Sequence, residues 1–406
     1  METILNAFPL PNKNQLSRNI IFSILGRLTD CGLTIQDGSG KVFFGDSNSE
    51  LQAKINVNNN RMYSRLLFGG SIGIAESYVE KEWDSEQLVN VIRIFARNLP
   101  TLEKLEKRLG WITYPVNKFR HLMNRNTPDG SRTNIAAHYD LGNELYQLIL
   151  DEQMQYSSAI FPDMNDNLSY AQLNKLKTIC ENLQLNENDH LLEIGTGWGG
   201  LACYAAKHYG CKVTTTTLSQ QQYDYASQQI KEQGLSDKIT LLLKDYRDLE
   251  GQYNKLVSVE MIEAVGHEYL PQFFKQLEKL LLPQGQMLIQ SITIADQLYD
   301  QYRKGVDFIQ KYIFPGGCLP SISEMARHIK NHTSLNITAV NDYGLHYAQT
   351  LVHWMDKFQF HSKQLEELGY KQDFQRLWHF YFAYCEGGFR EKNIGLVLLQ
   401  ATKRGV

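Results

Sequence analysis

Apolar residues over 20–28 recur at helical spacing, and the next two runs, Leu33-Thr34-Ile35 and Lys41-Val42-Phe43-Phe44, alternate on either side of Asp37-Gly38-Ser39-Gly40. That pattern predicts a helix followed by a small hairpin. From 66 to about 110 the spacing is helical again, with breaks at Gly69-Gly70 and at Asn98-Leu99-Pro100. These elements predict a smaller, mostly helical α+β domain over residues 1–123. The cluster of breakers from Asn124 to Ser131 predicts a linker at 124–131. Beyond it the pattern changes. Short apolar or β-branched runs at 191–194, 212–217, 239–243, 255–259 and 286–292 alternate with helical stretches at 200–208, 220–233 and 269–282. Such alternation predicts an α/β domain whose mostly parallel sheet is covered by helices on both faces. An aromatic helical segment near 377–385 and a last strand at 395–402 close this second domain, 132–406.

The 406 residues, with 43% hydrophobic and 21% charged, have the composition of an ordinary globular protein. A mean hydropathy of -0.37 and the lack of any long apolar run exclude an integral helical membrane protein. No basic-then-apolar leader opens the sequence, which predicts a cytoplasmic protein. The six cysteines are scattered without a C-x-x-C pair, so buried thiols are expected and no metal site. Charge is distributed unevenly. Residues 1–125 carry 16 basic and 12 acidic side chains, a net of +4, and the remainder carries -7. Within 93–125 eight basic residues face only Glu103 and Glu106, which predicts an anionic partner surface. No nucleic-acid motif accompanies it, so a lipid surface is the expected partner.

The most informative stretch is Leu191-Leu192-Glu193-Ile194-Gly195-Thr196-Gly197-Trp198-Gly199-Gly200. It satisfies G-x-G-x-x-G between a predicted strand and a predicted helix, which brings backbone close to a ligand at the carboxyl edge of the sheet. A dinucleotide would require an acid about 20 residues on, and that neighbourhood reads Thr214-Thr215-Thr216-Thr217. Glu193 beside the glycines would repel a pyrophosphate and suits a cationic amino group. S-adenosylmethionine carries an ammonium and a sulfonium and no phosphate.

The surrounding strings resemble one family, the cyclopropane-fatty-acyl-phospholipid synthases. They include His138-Tyr139-Asp140-Leu141-Gly142-Asn143, Gln155-Tyr156-Ser157, Thr217-Leu218-Ser219, Asp245-Tyr246-Arg247-Asp248-Leu249, Glu263-Ala264-Val265-Gly266, Tyr312 through Ser321, and Cys385-Glu386-Gly387-Gly388-Phe389-Arg390. Gly69 through Tyr78 extends the likeness into the first domain, where the phospholipid-type enzymes differ from shorter relatives. The resemblance implies a doubly wound, mostly parallel, seven-stranded Rossmann-like methyltransferase sheet. It also implies transfer of the methyl carbon of S-adenosylmethionine to a cis double bond of a phospholipid-bound acyl chain. A carbocation then loses a proton from that methyl as a cyclopropane ring closes, and in the family the base is thought to be a bound bicarbonate ion. The family's bicarbonate site uses a Cys after the Tyr-Ser pair, a Glu, a His, the main chain of an Ile two residues later, and a Tyr. Glu263, Ile292 and Tyr347 match, whereas Ser158 replaces the Cys and Gln290 the His. Gln290 can donate to an anion but cannot become cationic. Cys385 aligns with a family cysteine near the site, where a small buried residue is expected instead of a nucleophile.

For the cofactor, the family pattern and strand-end placement point to Tyr156 and Ser157 near the methionine portion and to Glu193, Gly195 and Gly197 at the bend. Thr217, Leu218 and Gln222 are expected around the ribose and adenine, and Asp245, Tyr246 and Arg247 at the third strand end. Part of the aromatic run Trp378, Phe380, Tyr381, Phe382, Tyr384 is expected to line an acyl pocket, the rest to pack the core. The resemblance further implies a homodimer associated peripherally with the inner face of the membrane. Two alternatives stay open on the Ser158 and Gln290 departures: a methyltransferase leaving a methyl-branched or methylene product, and a lipid-binding protein that has lost catalysis.

Overall fold

Period-two alternation decides how the large sheet is buried. In β5 (His190–Ile194) Leu191 packs into the core cluster on one face of the sheet, while Leu192 and Ile194 pack into the cluster on the other. The computed structural model describes residues 13–99 and 142–405. The expected linker at 124–131, most of the basic 93–125 segment and the string His138 to Leu141 lie outside the described residues.

Besides β5, the large sheet contains β6 (Lys212–Thr217), β7 (Ile239–Leu243), β8 (Tyr253–Val259), β9 (Leu281–Ile294), β10 (Leu335–Asp342) and β11 (Ile394–Lys403), in the order β10-β11-β9-β8-β5-β6-β7. Five neighbouring strands run parallel, and β11 pairs antiparallel with both β9 and β10. This is the seven-stranded, mostly parallel α/β sheet expected. Strand β9 alternates like β5: Leu288 points to one core cluster, Met287 and Ile289 to the other. Helices Leu168–Asn182 and Gly200–Tyr209 cover the first face, and Leu270–Leu280 and Ile322–His332 the second. With both faces covered, backbone polar groups are satisfied within the sheet and the strands can be apolar throughout. The edge strand β10 went unread because most of its positions are exposed and show no apolar alternation.

The other unit holds a four-stranded sheet, ordered β2-β1-β3-β4, built from β1 (Gly32–Asp37), β2 (Gly40–Gly45), β3 (Gln52–Val57) and β4 (Trp83–Asp84). The expected hairpin is β1 and β2, paired antiparallel across the Asp37–Gly40 turn. Strand β3, parallel to β1, and the two-residue β4 were not anticipated. Helices Lys13–Leu25, Arg61–Val79 and Leu88–Arg97 complete it. Gly69-Gly70 does interrupt the second of these: Gly70 adopts φ +53 and ψ -134 inside the helix. Inside this unit Asp37 is buried and accepts from Arg18 Nε and Tyr63 Oη, both at 2.6 Å.

The sequence reading assigned 132–406 to one domain, yet Tyr370–Gly387 groups with the first unit. The cause is side-chain anchoring of helix Gln372–Arg390. The Arg376 guanidinium donates to the Tyr78 carbonyl at 2.6 Å and to Asp84 at 2.7 Å, and the Tyr78 hydroxyl meets His379 Nδ1 at 2.8 Å. Trp378, Phe380, Tyr381 and Phe382 are buried. Phe380 packs 5.6 Å from the Tyr78 ring, so its contact within this unit is core packing. Cys385 belongs to this same helical segment.

Candidate active site

Reading outward from β5, the strand order reverses between β5 and β8, and ligands of doubly wound sheets bind at the carboxyl ends flanking such a switch. Both informative parts of the sequence end there.

On the β5 side the chain bends through Gly195 and Gly197 at φ +102 and +53, conformations that L side chains rarely adopt. A Cβ at Gly197 would meet nothing within 4 Å, so the bend opens on free space. Gly200 has a different reason. A Cβ there would come within 2.3 Å of Gln155 Nε2 and 2.7 Å of the Gln153 carbonyl, so this glycine lets the 151–158 loop sit against the helix start. That loop is fixed by Asp151, which accepts from the N–H groups of Gln153 and Gln155, and by the buried ammonium of Lys175, 2.5 Å from Gln155 Oε1 and 3.0 Å from Ser157 Oγ. Burial pulls the Lys175 pKa down to about 8, while Glu260, Asp151 and Glu193 favour its charge.

The other expected cofactor residues sit at successive strand ends. Thr217 closes β6 and donates to Gln222 Oε1 at 2.8 Å, while Leu218 follows it, half-buried. Asp245 after β7 accepts from Arg247 N, Nε and Nη2 at 2.9, 2.8 and 2.7 Å, so the pair is self-neutralised. Tyr246 between them lies edge-on to Phe273. The Tyr156 ring is 5.1 Å from Tyr146 and 5.2 Å from Trp354. Glu193 is held within the sheet, where its carboxyl accepts from Thr215 Oγ1 at 2.5 Å; burial pushes its pKa up to about 8, while Thr215 and the charge of Lys175 oppose the rise. The open bend, the glycine backbone and the hydroxyl-lined β6 end fit S-adenosylmethionine.

On the β8 side two carboxyls stand close together. Glu263 follows the strand on a short 3-10 turn, and its Oε1 accepts from the Ile292 N–H at 2.5 Å and from Ser291 Oγ at 3.1 Å. Its Oε2 is sealed from solvent with no hydrogen-bond partner among the described residues. Burial, and then the negative charge of Glu260, push the Glu263 pKa up to about 8. Sequence reasoning named Glu260 only as a neighbour, and the structure puts it at the centre. Glu260 Oε1 accepts from the Ser158 N–H at 2.9 Å and from Gln290 Nε2 at 2.8 Å, and Oε2 accepts from the Tyr347 hydroxyl at 2.8 Å. Burial raises its pKa, and these three donors and Lys175 oppose the rise. Gln290 pairs with Val259 in the β8–β9 ladder, which explains how it reaches the residue just past Val259. Ser158, Glu260, Gln290 and Tyr347 are thus brought together, with Glu263 and Ile292 alongside, while Cys385 is on the helical segment of the other unit. The signal for Glu260 was an acidic residue directly after a buried strand at the sheet's carboxyl edge.

The family model described as Mycolic acid cyclopropane synthetase matches residues 126–399. The chain is 39% identical over 328 residues to the tuberculostearic acid methyltransferase UfaA1 of Mycobacterium tuberculosis, covering 79% of this chain and 76% of that protein. It is 36% identical over 355 residues to the cyclopropane-fatty-acyl-phospholipid synthase of Escherichia coli K12, covering 86% and 87%. Among solved structures, mycolic acid cyclopropane synthase CmaA1 complexed with SAH and CTAB matches with a TM-score of 0.63 and 28% identity, over 67% of this chain and 98% of that one.

Proposed function

Because the chain belongs to the mycolic acid cyclopropane synthetase family and is an S-adenosylmethionine-dependent methyltransferase acting on lipid acyl chains, we propose that it methylates a cis double bond of a phospholipid-bound chain and closes a cyclopropane ring. The observation that carries this reading is the half-buried pair Glu260 and Glu263 at the end of β8, beside the glycine bend. S-adenosylmethionine, when bound, supplies an electrophilic methyl group on a sulfonium. Gly195 and Gly197 give it backbone at close range, and Thr217 and Gln222 supply polar groups at the neighbouring strand end. Ring closure needs negative charge beside a carbocation and a base for one proton, in a place where water cannot capture the cation. The carboxyl pair meets the first two needs, and the packing that seals Glu263 Oε2 from solvent serves the third. Glu263, with one oxygen unpartnered and a raised pKa, is suited to pass a proton onward.

A second reading, a methyl-branched or methylene product, draws support from the likeness to tuberculostearic acid methyltransferase. Ring closure and a methylene product both lose a proton from the newly added methyl, whereas a saturated methyl branch would in addition need a hydride donor. Mass spectrometry of lipids from expressing cells separates them: a gain of CH2 that survives mild hydrogenation as a ring supports the first. A branch with the double bond reduced or moved supports the second, and unchanged lipids would refute both. No helix among the described residues is long and apolar enough to cross a membrane. Access to phospholipid then requires the protein to visit the bilayer surface, a peripheral association in keeping with the basic first domain.

A further inference from the structure

The donors that the family resemblance assigns to a bicarbonate ion are already engaged in this chain. The Ser158 N–H, Gln290 Nε2 and the Tyr347 hydroxyl all point to one carboxylate, that of Glu260. A second anion at that spot would find those donors occupied and would sit beside the Glu260 carboxylate in a half-buried place, where like-charge repulsion is weakly screened. The residues present do not fit bicarbonate. We propose that Glu260 is the built-in anion of this site, its carboxylate standing on the bicarbonate donors and accepting the proton released in product formation. This deepens the reading of the chain as an acyl-chain methyltransferase and rests on it.

Three further observations converge. Both departures from the family pattern make sense around a resident carboxylate. Ser158 contributes its main-chain N–H, its hydroxyl donating instead to the Ala159 carbonyl, so a thiol is not required. Gln290 offers an amide donor that cannot be lost by titration. The Glu260 backbone is held at φ +48, a region costly for a residue with a Cβ and natural to glycine. Backbone held in such regions concentrates at functional sites. Within the carboxylate, Oε1 accepts two hydrogen bonds and Oε2 one, which leaves Oε2 the freer lone pair. In the step itself, a C–H bond of the newly added methyl breaks. Its electron pair forms the ring-closing C–C bond to the cationic carbon, or the C=C bond of a methylene product. The proton joins Glu260 Oε2, giving a neutral acid that returns it to solvent before the next turnover.

The test uses the full chain in carbon-dioxide-free buffer, with vesicles of unsaturated phospholipid and methyl-labelled S-adenosylmethionine. Wild-type turnover is expected to change less than about twofold when bicarbonate is added. Glu260→Gly, which suits the left-handed backbone, is expected to lose at least about a hundredfold and to regain about tenfold or more with bicarbonate or formate in the vacated site. Carbon-13 NMR with labelled bicarbonate should detect binding to Glu260→Gly and none to wild type. Glu260→Gln, which keeps the site filled by a neutral amide, should be inactive and beyond rescue. Bicarbonate binding to wild type, wild-type turnover that depends on it, or a folded Glu260→Gly that binds S-adenosylhomocysteine yet neither binds bicarbonate nor is rescued would each overturn the proposal. A wild-type protein that methylates no lipid chain would refute the proposed function instead, and the binding comparison, which needs no turnover, still decides the place of Glu260.

Discussion

Replacing Glu263 by glutamine should stabilise the protein in a way that grows with pH. In the folded state burial and the neighbouring Glu260 push the Glu263 pKa from its ordinary 4.5 up to about 8. The folded chain therefore keeps this proton while the unfolded chain releases it. Stability from this group is fully present below about pH 4.5 and is lost steadily as pH rises toward 8, because the unfolded state binds fewer protons across that window. One pKa unit corresponds to about 1.4 kcal/mol, which sets an upper bound of roughly 4–5 kcal/mol. The high effective permittivity of real buried sites brings the expectation to about 2 kcal/mol. A glutamine keeps the acceptor for the Ile292 N–H and Ser291 Oγ, and its amide faces the same partnerless position as the acid hydroxyl. Near pH 5 the substitution should thus be close to neutral. Near pH 8 it should raise Tm by about 4 °C, at roughly 2 °C per kcal/mol for a unit of this size. Thermal unfolding followed by circular dichroism at matched ionic strength, with and without the substitution, measures the difference. A Tm change that is the same at pH 5, 6.5 and 8, or a destabilisation that deepens with pH, would show that Glu263 does not hold a proton in the folded state.

Three other outcomes are expected. Tyr347→Phe removes a 2.8 Å donor from Glu260 Oε2; a hydrogen bond to a charged group is worth about 1.5–3 kcal/mol, so the acid limb of the pH–rate profile should move up by one to two units, and an unmoved limb would mean that Glu260 is not the titrating base. Gly200→Ala drives a Cβ into the Gln155 side chain and the Gln153 carbonyl, an overpacking of about 1–3 kcal/mol, and calorimetry should show S-adenosylhomocysteine binding weakened about tenfold; unchanged affinity would dissociate the 151–158 loop from the cofactor. Sedimentation with anionic vesicles should fall severalfold as salt rises if basic residues of 93–125 make the contact, whereas salt-independent binding would indicate apolar insertion.

Much of this protein was legible along the chain because the signals are local. Short apolar or β-branched runs such as 191–194 and 212–217, and the glycines at 195, 197 and 200, report conformations that each residue and its near neighbours impose, and the parallel core of the sheet and its glycine bend follow from them, whereas the count of seven strands came only with the family resemblance. What escaped has weak local encoding. Strand β10 is an exposed edge, β4 is two residues long, and the return of Tyr370–Gly387 to the first unit depends on Arg376 and His379 meeting Tyr78 about 300 positions away. The centre of the candidate site was decided the same way. Ser158, Gln290 and Tyr347 lie 102, 30 and 87 positions from Glu260, and no pattern in any one segment says that their donors converge on that carboxylate. Residue types alone determined that an anion could be held there. That these donors meet the chain's own Glu260 carboxylate was decided by the tertiary structure, since a hydrogen-bond donor turns to the acceptor that the fold places in front of it.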